Sequence, residues 1–171
     1  MKISICIPTY NRADNLINCL ESIVVNEKIS LVDFEVCIAD NFSNDNTESI
    51  VKTYQKKLPI NYYKSSNNVG RVRNYLNVVS IASGDFIWLI GDDDLLLPNA
   101  IFEINDLISS NQEVEFFYIN SFCLASDYLA SFDKPFNTKN LPKNMPKFSS
   151  WSVDGEMEFM SLINPKISFD F

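Results

Sequence analysis

Apolar positions along the chain fall into short unbroken runs separated by stretches of helical spacing. Ile3-Ser4-Ile5-Cys6-Ile7 has strand length and stops at Pro8. Polar caps at Asn11 to Asp14 precede Leu16, Ile17, Leu20, Ile23 and Val24, which share one helical face. Phe34 to Ala39 predicts a second strand, and Asp40 to Asn46 a polar loop. Asp45 and Glu48 are spaced as a capping pair for a helix carrying Ile50, Val51, Tyr54 and Leu58. Ile60 to Tyr63 predicts a third strand, and Asn67-Asn68-Val69-Gly70 a turn. The next helix is expected to turn Val72, Leu76, Val79 and Ala82 inward, with Gly84 ending it. Phe86-Ile87-Trp88-Leu89-Ile90 is apolar on both faces and predicts a central strand. Pro98 suits the first turn of a helix that buries Ile101, Ile104, Leu107 and Ile108, and Val114 to Ile119 predicts a fifth strand.

This alternation argues an α/β fold, a mostly parallel sheet with helices on both faces. Ligands in such sheets bind beyond the carboxyl ends of the strands. Thr9-Tyr10-Asn11, Asp40-Asn41 and Asp92-Asp93-Asp94 each follow a strand, so they are expected to converge on one edge. Beyond residue 120 the pattern weakens. Pro135, Pro142 and Pro146 mark a loop over 133–147, 156–163 has helical spacing, and Ile167-Ser168-Phe169 begins a strand-like run. The expected division is an α/β domain over 1–120 and the start of an acceptor-side region over 121–171, cut off in mid-pattern.

Composition changes this picture in three ways. With 171 residues, 46% apolar and 13% aromatic, the chain can build one sizeable core. Its net charge of −8, with scattered Lys and Arg, argues against nucleic acid as a partner. The absence of histidine removes the commonest general base and directs any metal to oxygen ligands, hence Mg²⁺ or Mn²⁺. Cys6, Cys19, Cys37 and Cys123 form no CxxC pair and are expected to be buried thiols in a reducing compartment. The N-terminal apolar run is too short for a signal peptide, and no run approaches the ~20 residues of a membrane span. The expected location is cytoplasmic, with peripheral association at the inner face of the membrane compatible with a lipid-linked substrate.

The aspartate run carries the clearest chemistry. Three adjacent carboxylates after an apolar strand need a compensating cation or solvent. In an extended segment Asp92 and Asp94 point the same way, giving a natural oxygen pair for a divalent ion, and Asp93 points elsewhere. The bland alternative is a solvated acidic loop capping the Pro98 helix. Asp40 and Asn41 read either as a turn with a helix cap or as acceptors for a base imide or ribose hydroxyl. Thr9-Tyr10-Asn11, after Pro8, offers donors, a hydroxyl and an aromatic face to a nucleobase, or a plain connection. Asn68-Val69-Gly70-Arg71 reads as a turn, or as a phosphate-facing helix start with Arg71 and Arg73. Neither GxxxxGK nor GxGxxG occurs.

Together these segments resemble the family 2 glycosyltransferases, which have the GT-A fold. The resemblance runs through Ser4-Ile5-Cys6-Ile7-Pro8-Thr9-Tyr10-Asn11-Arg12, Ile38 to Thr47, Asn68-Val69-Gly70 and Ala82 to Asp94, in the family's order. Trp88-Leu89-Ile90-Gly91-Asp92-Asp93-Asp94 is most similar to the bacterial surface-polysaccharide, abequosyltransferase-like branch, where Gly91 replaces the family's first Asp. The resemblance implies a nucleotide-diphospho-sugar donor, inversion at the anomeric carbon and a glycan or lipid-linked acceptor. It places Thr9, Tyr10 and Asp40 at the nucleoside, Asp92 near ribose or metal, and Asp94 at the metal. The family's general base is expected downstream of Phe171. The competing readings are a nucleotide-sugar-binding module without that base and, in a different class, a nucleotidyltransferase or phospho-acceptor regulator. Against the last stand Pro8-Thr9-Tyr10-Asn11 in place of a Gly-rich basic loop, and the lack of a Lys after the fifth strand.

Overall fold

The computed structural model describes residues 1–27, 31–117, 119 and 126–142. The elements run β1 (Ile3–Thr9), α1 (Ala13–Glu27), β2 (Phe34–Asp40), α2 (Thr47–Tyr54), β3 (Ile60–Lys64), α3 (Arg71–Ser80), β4 (Phe86–Leu89), α4 (Ala100–Ser110), α5 (Ser126–Ala130) and a 3₁₀ turn (Thr138–Asn140). The strands form one sheet in the order β3-β2-β1-β4, and every pairing is parallel.

Alternation along β1 and β2 divides the core into two layers. Ile3, Ile5 and Ile7 with Phe34, Val36 and Ile38 face Leu16, Leu20 and Ile23 of α1, Val51 of α2 and Ile101 and Ile108 of α4. Cys6, Cys37 and Ala39 face Val78 of α3 on the other side. Each large side chain in the thicker layer contributes about 1.5–3 kcal/mol by leaving water. Cys6, Cys19 and Cys37 are buried free thiols; Cys123 lies outside the described residues.

Three expectations need correction. First, β4 is an edge strand among the described residues rather than a central one. Phe86 and Trp88 pack against the thicker layer, while Ile87 and Leu89 remain 47% and 45% exposed on the α3 side. Second, residues 114–117 form no strand. Glu115, Phe116 and Phe117, with Ile119, line an apolar cavity of about 430 Å³ between β4 and α4. Third, α3 is rotated from its expected face. Val72 and Leu76 are exposed, whereas Asn74 and Val78 are the buried residues. The physical reason is that Asn74 turns inward, where its Nδ2 donates to the carbonyls of Ala39 (2.8 Å) and Thr9 (3.4 Å) at the ends of β2 and β1.

Two further details differ from expectation. Gly84 lies beyond the end of α3, where it admits β1: a Cβ there would stand 2.7 Å from Ser4 Oγ and 2.8 Å from the carbonyl oxygen of Lys2. Asp45 does not pair with Glu48. Its Oδ1 accepts from the backbone N–H and hydroxyl of Thr47, and its Oδ2 accepts from the N–H of Ala13, so one carboxylate serves the starts of α1 and α2.

The polar stripe Asn18, Ser22 and Asn26 on α1 was not expected. These side chains accept from the backbone N–H groups of Phe136, Leu96 and Ile101. They tie α1 to the segment after the aspartates and to 126–142, where Phe136 is buried against Tyr128 and Phe132. The candidate elements at 156–163 and 167–169 lie outside the described residues.

Candidate functional site

Register alone assembles the site. Residue-by-residue pairing of β1 with β2 sets Thr9 opposite Asp40, and Asp40 is opposite Lys64 of β3. On the other flank Cys6 pairs with Leu89, so three residues further along each strand Thr9 reaches Asp92. Thr9 Oγ1 donates to Asp92 Oδ2 at 2.8 Å, with both residues buried. The carboxyl ends of all four strands thus bring together Lys64, Asp40, Thr9 and Asp92.

The loops behind these residues are stitched to one another. Asn41 N donates to the Thr9 carbonyl (2.9 Å), its Nδ2 donates to Asn68 Oδ1 (2.9 Å), and its Oδ1 accepts from Val69 N (2.8 Å). Asn68 Oδ1 also accepts from Gly70 N, shaping the turn in which Gly70 takes φ +83° before α3. Asn11 N donates to Ser43 Oγ, and Asn11 Oδ1 accepts from Asn44 N. Asn11 and Phe42 sit at φ +51° and +71°, an uncommon conformation for side-chain-bearing residues, and such positions concentrate at binding edges.

Asp40 is fully buried. Its Oδ1 accepts from Ser43 N (2.7 Å), and its Oδ2 accepts from the Tyr62 hydroxyl (2.7 Å) with Lys64 Nζ at 4.0 Å. Burial, then this hydrogen bond, pushes the Tyr62 phenol far above its ordinary range. Pro8 is half-buried, while Tyr10, Phe42 and Arg71 are exposed at the same edge, Arg71 opening α3.

The three aspartates occupy different environments. Asp92 has both oxygens engaged, Oδ2 by Thr9 and Oδ1 by Arg12 Nη1 at 3.1 Å. Burial raises its carboxyl above the ordinary range, against the pull of Thr9 and Arg12. Asp93 is exposed, and its Oδ2 lies 3.0 Å from the same Arg12 Nη1. Asp94 is exposed, and its Oδ2 accepts from Gly91 N at 2.7 Å. A Cβ on Gly91 would meet only the movable carboxylates, Asp93 Oδ1 at 2.6 Å and Asp94 Oδ2 at 3.2 Å. Sequence reasoning missed Arg12, Asn74 and Phe42. A basic residue just ahead of a helix and a lone Asn four positions from Val78 were the available signals.

Among the described residues no three His, Cys, Asp or Glu side chains converge into a ready-made metal cage. Mg²⁺ commonly takes only one or two carboxylates and leaves its other positions to water and phosphate. Asp94, exposed and all-oxygen, fits such an ion, with Asp93 and Asp92 behind it.

Residues 4–150 match the family model for glycosyl transferase family 2. The chain belongs to that family. This family 2 chain is similar to abequosyltransferase RfbV of Salmonella typhimurium, 40% identical over 116 residues, 67% of this chain and 34% of the relative. It is similar also to the GalNAc(5)-diNAcBac-PP-undecaprenol beta-1,3-glucosyltransferase of Campylobacter jejuni, 34% identical over 102 residues, 58% of this chain and 32% of the relative. Among solved structures it resembles S. aureus TarS 1-349 in complex with UDP-GlcNAc, with TM-score 0.60 and 26% identity over 66% of this chain and 32% of that one. The family 2 chain therefore spans about a third of the length of these relatives and has the GT-A fold.

Proposed function

We propose that this chain holds a nucleotide-diphospho-sugar for an inverting, divalent-metal-dependent glycosyltransferase, with residues 1–120 as the donor-binding region. The observation that carries the reading is the juxtaposition of Thr9, Asp40 and the Asp92–Asp94 run at one carboxyl edge of a parallel sheet. The UDP-GlcNAc bound by TarS supports the donor class.

In this reading Tyr10 and Asn11 present an aromatic face and polar groups to the nucleoside, and Asp40 fixes the loop beneath it through Ser43 and Tyr62. Asn41, Asn68 and Gly70 shape the entry to α3, where Arg71 and the helix start face phosphate. Asp94, with Asp92 and Asp93, holds Mn²⁺ or Mg²⁺. Such an ion neutralises charge developing on a departing nucleoside diphosphate. The acceptor is a glycan or a lipid-linked sugar, in keeping with the PP-undecaprenol in the name of the Campylobacter relative. No described helix is long and apolar enough to cross a membrane. The reading places the protein in the cytoplasm, at the inner membrane face when its acceptor is lipid-linked.

The test is thermal denaturation against UDP, GDP, CDP and dTDP, each with and without Mn²⁺. One nucleotide is expected to raise the melting temperature only with metal, and Asp94→Ala to abolish the rise. A full rise in that variant would refute the metal assignment. Acceptor-dependent release of nucleoside diphosphate separates a transferase from a module that only holds donor.

A further inference from the structure

Arg12 occupies a position that its place in the chain does not require. Its backbone is committed to the start of α1, where its carbonyl accepts from Asn15 N and Leu16 N. Its side chain leaves that helix and inserts a single nitrogen, Nη1, between Asp92 Oδ1 (3.1 Å) and Asp93 Oδ2 (3.0 Å), residues about eighty positions away. The two ends of this bridge differ. The Asp92 side chain is 6% exposed, while those of Asp93 and Arg12 are 58% and 51% exposed. A buried carboxylate needs compensation, which Asp92 receives from Thr9 and Arg12 together. An exposed pair such as Arg12–Asp93 contributes little to stability and is easily exchanged.

We propose that Arg12 is an internal counter-cation that stands in for the divalent ion while the donor is absent, and that it yields Asp93 when metal and nucleotide arrive. The inference rests on the donor reading above. Arg12 suits the exchange: its guanidinium carries a permanent charge, half its side chain already meets solvent, and a diphosphate offers it a bidentate partner once released. Two consequences follow. Without metal, Asp92 and Asp93 share one tethered cation, and metal without nucleotide must compete with it. Arg12 is thus a positioning residue that makes metal capture conditional on the donor.

The experiment uses the full chain as wild type, Arg12→Gln and Arg12→Lys, and follows binding of Mn²⁺ alone by loss of the free-ion paramagnetic resonance signal. Arg12→Gln is expected to bind Mn²⁺ about tenfold more tightly than wild type, and Arg12→Lys, which keeps the charge, to stay close to wild type. The gap is expected to narrow with the nucleoside diphosphate identified by the melting screen. Equal or weaker Mn²⁺ binding by Arg12→Gln, in protein that melts cooperatively, would overturn the proposal; so would a Lys variant that behaves like Gln. Wild type offers an independent measurement, since Arg12, Arg71 and Arg73 are its only arginines. The Arg12 Nε resonance is expected to shift when Mg²⁺ and nucleotide are added together, and an unmoved resonance at saturation counts against the exchange. If neither wild type nor variants bind Mn²⁺ even with nucleotide, the metal-donor reading itself falls and takes the proposal with it.

Discussion

The hydroxyl of Thr9 and the carboxylate of Asp92, 83 positions apart, meet at 2.8 Å between the ends of β1 and β4. The bond lies in a buried environment and satisfies one of the two oxygens of an acid whose charge burial disfavours. Thr9→Val keeps the shape and removes the donor. It is expected to cost about 1–3 kcal/mol in urea denaturation, because the Asp92 oxygen is left without a partner. A variant as stable as wild type would show that Arg12 alone sustains Asp92.

Glu35 anchors the opposite end of the sheet. Burial disfavours its charge, yet hydrogen bonds from Ser4, Lys2 and Ser83 hold its carboxyl at about 2, below the ordinary 4.5. Its folded-state pKa is depressed, so its stabilisation is complete above about pH 4.5 and disappears as pH falls towards 2. Unfolding free energy measured across that window should fall by about 2 kcal/mol more in wild type than in Glu35→Gln. Parallel curves for the two proteins would contradict this account of Glu35.

Gly84 faces backbone as well as side chain, since Ser4 N and the Lys2 carbonyl oxygen both lie 2.8 Å from the position of a Cβ. Gly84→Ala must therefore push β4 away from β1, at a cost of about 1–3 kcal/mol. Guanidinium titration measures it, and a neutral substitution would mean that the two strands separate without penalty.

Asn74 is expected to matter through its amide. Asn74→Ala removes the donor serving Ala39 and Thr9 carbonyls and is expected to destabilise by about 1–3 kcal/mol. Val72→Ser, on the exposed side of the same helix, should change stability by less than about 0.5 kcal/mol. The reverse ranking would restore the helical face that apolar spacing suggests.

Phe42 holds φ +71° with half its surface exposed. Asn tolerates this conformation far better. Phe42→Asn should melt at the wild-type temperature or higher, by up to about 1 kcal/mol in stability. A marked fall would reveal packing by the ring that outweighs the backbone strain.

Strand ends and the aspartate run were legible because short apolar runs and punctuating polar residues depend on local order alone. Parallel alternation then sufficed to predict that Thr9, Asp40 and Asp92 share an edge. What escaped were relationships between side chains brought close only by tertiary structure. Arg12 reads as an ordinary residue at a helix start until β1 and β4 are in register. Asn74 reads as solvent-facing and Val72 as core, because spacing weighs apolarity and gives no account of the Ala39 and Thr9 carbonyls that a side chain on α3 reaches. The expected fifth strand at 114–119 has the right composition, but residues 114–117 form no strand and line a cavity beside β4. The separate parts played by Asp92, Asp93 and Asp94 likewise depend on which oxygen each neighbour reaches.

The shared carboxylate of Asp45 has a consequence for engineering. The connections after β1 and β2 are joined through Asp45 to Ala13 and Thr47, through Asn11 to Ser43 and Asn44, and through Asn41 to Thr9. They behave as one cassette, and a residue inserted in either breaks contacts in both. Grafting the nucleotide preference of another family member onto this scaffold therefore requires transplanting 9–13 and 40–47 together, because either segment moved alone arrives without the partner that sets its shape.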